Sequence, residues 1–210
     1  GGIETGSNVI IGQVAGFTGI GANRVSIGTS AGAVGQNTNS VAMGYFAGRL
    51  GQHDYSVAVG YAAGMNGQRG QSVAIGDRAA QTGQNNQSVA IGNKAGRTAQ
   101  ETRSVAVGHT AGESNQATAA VAIGDQAGMT SQNTLSVAIG SSAGQTNQGV
   151  YDPALGILIG DGRSIAVGNV AGQTDQGAVS IAIGDQAGMT SQRFESVSIG
   201  AAAGKISQGY

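Results

Sequence analysis

Ser72-Val73-Ala74-Ile75-Gly76, Ser88-Val89-Ala90-Ile91-Gly92 and Ser104-Val105-Ala106-Val107-Gly108 are copies of one pentad, each sixteen residues beyond the last. Outward from these, the pentad occurs as Ser40–Gly44 and Ser56–Gly60 on one side and as Ala120–Gly124 and Ser136–Gly140 on the other. It resumes as Ser164–Gly168, Ser180–Gly184 and Ser196–Gly200, and two looser copies end at Gly12 and Gly28. From Gly12 to Gly140 the spacing is always sixteen. A fixed period of this length identifies a repeat architecture, in which each unit buries surface against its neighbours.

Two further features keep the same period. Ala-Gly follows the pentad, from Ala15-Gly16 and Ala31-Gly32 through to Ala203-Gly204, with Ala79-Ala80 as the one departure. Four residues later comes a glutamine: Gln36, Gln52, Gln68, Gln84, Gln100, Gln116, Gln132, Gln148, Gln176, Gln192 and Gln208, with Ile20 in that place in the first coil. Counting the pentad's first residue as position 1, the unit is S-V-A-I-G-x-x-A-G-x-x-x-Q-x-x-x.

The pentad alternates with period 2, which is a strand, and its β-branched residues suit one. The glycine at position 5 allows a corner. Ala-Gly opens a second extended segment that Gln closes. Sixteen residues are too few for a strand–helix repeat and fit one coil with two short strands, so the expected fold is all-β: a parallel β-solenoid, or β-roll, of about twelve coils in a single domain over residues 1–210. Identical letters then lie one above another. On this reading the Val/Ile pairs stack inside the roll, Ser and Ala form a small, flat outer face, and the Ala-Gly column marks close approach of two sheets or of a neighbouring chain. The glutamines form a structural ladder of amides along the stack.

Composition agrees with a thin core. The chain has 39 glycines, one proline, no cysteine and no tryptophan, and its apolar residues are mostly Ala, Val and Ile. The 10 Lys and Arg are scattered and balanced by 11 Asp and Glu, so no basic footprint for nucleic acid arises. No apolar run reaches the roughly 20 residues that span a bilayer, so direct membrane insertion is not expected. A solenoid this thin, repeating almost to both ends of the sequence, points to further burial in an oligomer, in continuing sequence or by end-to-end stacking.

Chemistry is sparse. Asp77, Asp125 and Asp185 share position 6, but Asn93, His109, Ser141 and Asn169 separate them, which gives no adjacent acid pair of the kind glycosidases use. His53 and His109 fall in different columns, and no thiolate exists, so neither a metal nor any other cofactor is expected. Gly16-Phe17-Thr18-Gly19-Ile20-Gly21 lacks the glycine order and following helix of a phosphate loop. Asn86-Gln87-Ser88 is a formal glycosylation sequon, read as a chance match. Threonines fall in several columns without a repeated T-x-T strand, which argues against an ice-binding array. Tyr45, Phe46, Tyr55 and Tyr61 lie in turns of adjacent coils and form a candidate aromatic contact patch for a glycan, a protein or a second chain.

Register breaks once, at about 149–163, where fifteen residues separate Gln148 from Ser164 instead of three. This stretch holds the single proline, and its segment Gly156-Ile157-Leu158-Ile159-Gly160 mimics the pentad. It reads as a protruding loop, a short extra hairpin or a degenerate coil. Insertions in strict repeats often sit on a binding face, making Tyr151, Asp152, Pro153 and Leu155 a candidate binding loop.

Tandem Ser-Val-Ala-Ile-Gly units, each followed by a short turn and a small-residue segment, resemble the heads of trimeric autotransporter adhesins; related repeats occur in fibre proteins of phages and large DNA viruses. The resemblance runs from about Asn8 to Gln208. It implies a left-handed roll, three chains packed side by side, and attachment to host matrix or cell surfaces. The repeat is longer than that family's common head repeat, and neither a neck motif, a coiled-coil stalk nor an anchor barrel is present. The expected function is that of a structural, adhesive fibre or surface-appendage segment, not an enzyme. Its place is extracellular, on a cell or virion surface. Its partners are other copies of itself, as homotrimer or filament, and a host surface protein or glycan. The competing readings are a self-assembling filament subunit and a polysaccharide-processing solenoid enzyme.

Overall fold

The computed structural model describes residues 6–18, 21–149, 151–152, 157–158 and 162–206. The chain is an all-β parallel β-solenoid of about eleven turns of about sixteen residues. It comprises two compact units, Gly1–Arg103 and Ser104–Tyr210. In the first, the strands Val9–Ile11, Val25–Ile27, Val41–Met43, Val57–Val59, Val73–Ile75 and Val89–Ile91 pair in parallel, each with the equivalent strand of the next coil. Val73 is opposite Val89, Ala74 opposite Ala90 and Ile75 opposite Ile91, as the period requires. A second parallel ladder joins Asn66–Gln68, Thr82–Gln84 and Thr98–Gln100 at positions 11–13. The second unit repeats the plan with Val105–Val107, Val121–Ile123, Val137–Ile139, Ile165–Val167, Ile181–Ile183 and Val197–Ile199. Its second ladder is Ser114–Gln116, Thr130–Gln132 and Thr146–Gln148.

The faces of the first strand are opposite to the sequence expectation. Ala42, Ala58, Ala74, Ala90, Ala106, Ala122 and Ala138 at position 3 are fully buried, as are serines such as Ser40, Ser56 and Ser136 at position 1. Position 2 is half-buried in most coils, and position 4 reaches the surface, with Ile75, Ile91, Ile123 and Ile139 each 38% exposed. The Val/Ile columns therefore face outward. Their alternation was legible, but its sense could not be assumed from hydrophobicity, because the lumen holds Cβ atoms and one carboxamide per coil and leaves no room for branched aliphatic chains.

That carboxamide belongs to position 13. Gln132 is 1% exposed, and Gln36, Gln52, Gln68, Gln84, Gln100, Gln116, Gln148, Gln176 and Gln192 are fully buried; Gln208 and Ile20 lie outside the described residues. Gln132 Nε2 donates to Val121 O at 2.7 Å, Ser136 O at 3.2 Å and Gln148 Oε1 at 3.0 Å. The same amide-to-amide bond joins Gln52 to Gln68, Gln84 to Gln100, Gln116 to Gln132 and Gln176 to Gln192. The buried serines are satisfied as well: the hydroxyls of Ser40, Ser56, Ser88 and Ser180 each donate at 2.6 Å to the carbonyl three residues earlier, closing the final turn of the coil. A polar lumen is stable because these groups find partners on the solenoid's own backbone.

Two glycine columns follow from this geometry. Gly124, at position 5, has φ +132°, and a Cβ on it would stand 2.5 Å from Gly140 O in the next coil. Gly48, at position 9, has φ +53°, and a Cβ there would stand 2.7 Å from Gln52 Oε1. Corners at positions 7 and 16 are left-handed without glycine, as at Phe46, Tyr55, Leu135 and Val179. Such residues are uncommon in that region, and backbone bonds to the preceding coil hold them there, including Phe46 N to Thr29 O at 3.0 Å and Val179 N to Gly162 O at 2.9 Å.

The amide chain is interrupted where the repeat departs from its consensus. Gln52 Oε1, Gln84 Oε1 and Gln176 Oε1 receive no hydrogen bond. Before Gln52, Ser26 replaces the position-3 alanine and its hydroxyl bonds Gln36 Oε1, turning that amide aside. Before Gln176 comes the register break that follows Gln148. Gln84 follows Ala80, the one departure from the glycine column, which carries a Cβ there at φ +45° while fully buried. Ala80→Gly is therefore expected to stabilise the protein by about 1 kcal/mol, through relief of the left-handed strain; a raised denaturation midpoint checks it, and a lowered one contradicts it. Ala127, fully buried at position 8, gives the opposite case. Ala127→Leu should cost about 1–3 kcal/mol by overpacking, whereas Gln126→Ala beside it on the corner should cost far less, and equal losses in unfolding experiments would contradict this packing.

Candidate functional site

With lumen groups engaged in folding, the surface columns carry what the chain can offer a partner. The largest is aliphatic. In each unit, positions 2 and 4 of successive coils form two neighbouring rows of Val and Ile, joined in the first unit by Met43, with no charged residue in either row. In the first unit this surface includes Val9, Ile11, Met43, Ile75 and Ile91, and in the second Ile123, Ile139, Ile183, Val197 and Ile199. The second ladder presents a different chemistry. In the second unit Ser114, Thr130, Thr146, Thr174 and Thr190 are register partners along position 11. Reading Thr82, Thr98, Thr130 and Thr146 at the sixteen-residue period would have revealed this single hydroxyl column, which the search for T-x-T strands passes over.

On the same side of the first unit lies a groove of about 480 Å³, with Gly67, Gly83 and Ala99 along it and His53, Arg69, Asn85 and Glu101 beside them. Asn85 Nδ2 donates to Glu101 Oε2 at 2.7 Å. The four side chains all occupy position 14, so the period itself assembles the groove wall.

The aromatic residues are only partly brought together. Tyr45 and Tyr61 stack with ring centroids 5.5 Å apart and an interplanar angle of 5°. Phe46 packs against Tyr45 at 4.0 Å with a 38° tilt. The guanidinium of Arg49 lies 4.7 Å from the Phe46 ring centre, and that of Arg78 lies 5.4 Å from the Tyr61 ring centre. Tyr55, 61% exposed, stands at position 16, on a different corner from positions 6 and 7. The two tyrosine rings are thus turned on one another, and Tyr61 also meets a cation.

Position 6 is a column of local pairs. Asn93 Nδ2 donates to Asp77 Oδ2 at 2.9 Å, His109 Nδ1 lies 2.7 Å from Asp125 Oδ1, and Asn169 Nδ2 donates to Asp185 Oδ1 at 2.8 Å. His109 and Asp125 are both more than half exposed, so their pairing is worth little. Each carboxylate has an amide or imidazole as its neighbour, and among the described residues no group of three or more His, Asp or Glu is arranged to hold a metal ion. No described helix is long and apolar enough to cross a membrane. Asn86 of the sequon is exposed in a turn, while Ser88 is buried with its hydroxyl bonded to Asn85 O.

At the register break, Gly149, Gly162 and Arg163 occupy the last three positions of a regular coil: Arg163 N donates to Thr134 O and Gly149 N to Gln176 O. The intervening segment includes an antiparallel pair, Tyr151–Asp152 with Ile157–Leu158. Pro153 and Leu155 lie outside the described residues. Comparison with protein-family models, curated proteins and solved structures finds no match.

Proposed function

We propose that the protein is a structural, adhesive segment of a fibre or surface appendage, displayed outside a cell or on a virion, in which copies pack side by side as a homotrimer. The observation that carries this reading is the uncharged aliphatic surface at positions 2 and 4. Contiguous apolar surface of this kind marks interaction sites in soluble proteins, and charge depletion is the compositional mark of an interface core. Because every coil presents the same residues, the surface is self-complementary along its length, which suits closed symmetric assembly. The trimeric number comes from the resemblance to autotransporter adhesin heads, now through the Val/Ile face and not the Ser/Ala face.

The remaining features fit a scaffold. The lumen has no cavity chemistry to offer a substrate, since its polar groups bind the backbone, and the carboxylates of position 6 are separated by neutral or imidazole side chains. Attachment to a host surface protein or glycan would fall to the variable corners and the insertion, which differ from coil to coil on a constant frame.

Light scattering coupled to size-exclusion chromatography tests the assembly. The expected result is a discrete trimer, converted to single chains by joint Ile123→Lys and Ile139→Lys substitution with the β circular dichroism signal retained. A wild-type single chain at micromolar concentration would overturn the proposal, and polymers growing with concentration would favour end-to-end filaments instead.

A further inference from the structure

We infer that Tyr45 and Tyr61 form a site of oxidative cross-linking, at which one dityrosine bond staples two successive coils of the same chain. The pair is set by the backbone. Both residues occupy position 6, and Ala62 N donates to Tyr45 O at 2.9 Å while Arg78 N donates to Tyr61 O at 2.8 Å, which holds the two corners in register one coil apart. The side chains stack nearly parallel, with centroids 5.5 Å apart. Phe46 and Arg78 occupy the flanks of the pair, so the rings are confined beside each other. Both remain accessible to an oxidant, at 46% and 47% exposure.

The chemistry needs a one-electron oxidant of the peroxidase class. Hydrogen peroxide, through a haem peroxidase, removes one electron and one proton from each phenol. The two phenoxyl radicals, whose spin is shared with the ring carbons ortho to oxygen, join through those carbons. Transfer of each ortho hydrogen, as a proton, to the oxygen of its own ring then restores both phenols. Overall, two tyrosines and one hydrogen peroxide give one dityrosine and two waters, and the chain loses two hydrogen atoms. Radical coupling is ordinarily limited by encounter, and a pair already held in contact escapes that limit. In a solenoid, where turns can separate one at a time from their neighbours, such a bond ties two coils together covalently. It depends on one chain's geometry alone and is independent of the proposed trimer.

The sequence makes the product easy to locate. Trypsin cleavage after Arg24, Arg49 and Arg69 places Tyr45 as the single tyrosine of residues 25–49, while residues 50–69 carry Tyr55 and Tyr61. The dilute protein is treated with horseradish peroxidase and hydrogen peroxide, denatured, digested and examined by mass spectrometry, with dityrosine fluorescence read in parallel. The expected product migrates as one chain on a denaturing gel, lacks two hydrogens, and joins the two peptides equally well in Tyr55→Phe. Tyr45→Phe, which keeps the ring in the stack, should lower the dityrosine yield roughly tenfold. The inference is overturned if the bond disappears in Tyr55→Phe, if it is found only between chains, or if none forms under conditions that couple free tyrosine.

Discussion

The position-13 carboxamide is held by the strand that opens its own coil, by the serine carbonyl of the next coil and, in unbroken stretches, by the next glutamine. This contact ties the two ladders of the solenoid to each other across a lumen that holds little else. It accounts for the rest of the repeat: alanine at positions 3 and 8 because the sheets approach closely, glycine at position 9 because the amide lies against it, and serine at position 1 because its hydroxyl closes the turn on which the amide rests. A glutamine interior is costly where partners are missing, and this one supplies them from backbone carbonyls that recur every coil.

A lumen filled in this way leaves the large aliphatic residues with no inner place. They form an outer surface of constant chemistry, while positions 6, 7, 10–12 and 14–16 vary around it. Constant and variable columns thus divide the labour of the molecule. One gives each coil the same lateral contact, and the other gives individual coils a groove, a tyrosine pair or a hydroxyl row. Function, on this view, depends on which variable residues the period brings side by side.

Much of the architecture was legible in the sequence. The period fixed the coil, the strand at positions 2–4 and the register that sets Val73 beside Val89, because a parallel ladder aligns equivalent residues. The sense of the alternation was not legible. Hydrophobicity assigns Val89 and Ile91 inward, and only the space between the sheets shows that Ala90 must go there. The aromatic patch was half-legible: Tyr45 and Tyr61 share a column and so must meet, whereas Tyr55 belongs to another corner, a distinction that proximity in sequence obscures. The strain at Ala80 is invisible in the sequence until its backbone is seen to be left-handed. The insertion's inner boundaries needed Gly149, Gly162 and Arg163 placed in the regular turn by their backbone bonds.

Hydrogen exchange of the glutamine side-chain amides, followed by NMR on protein labelled at that residue type, tests the buried lumen most directly. The lumen glutamines should exchange on the slow timescale of the ladder's backbone amides, while surface glutamines such as Gln71 and Gln87 exchange freely. Exchange of all the side-chain amides at the free rate would place position 13 in solvent and contradict the account.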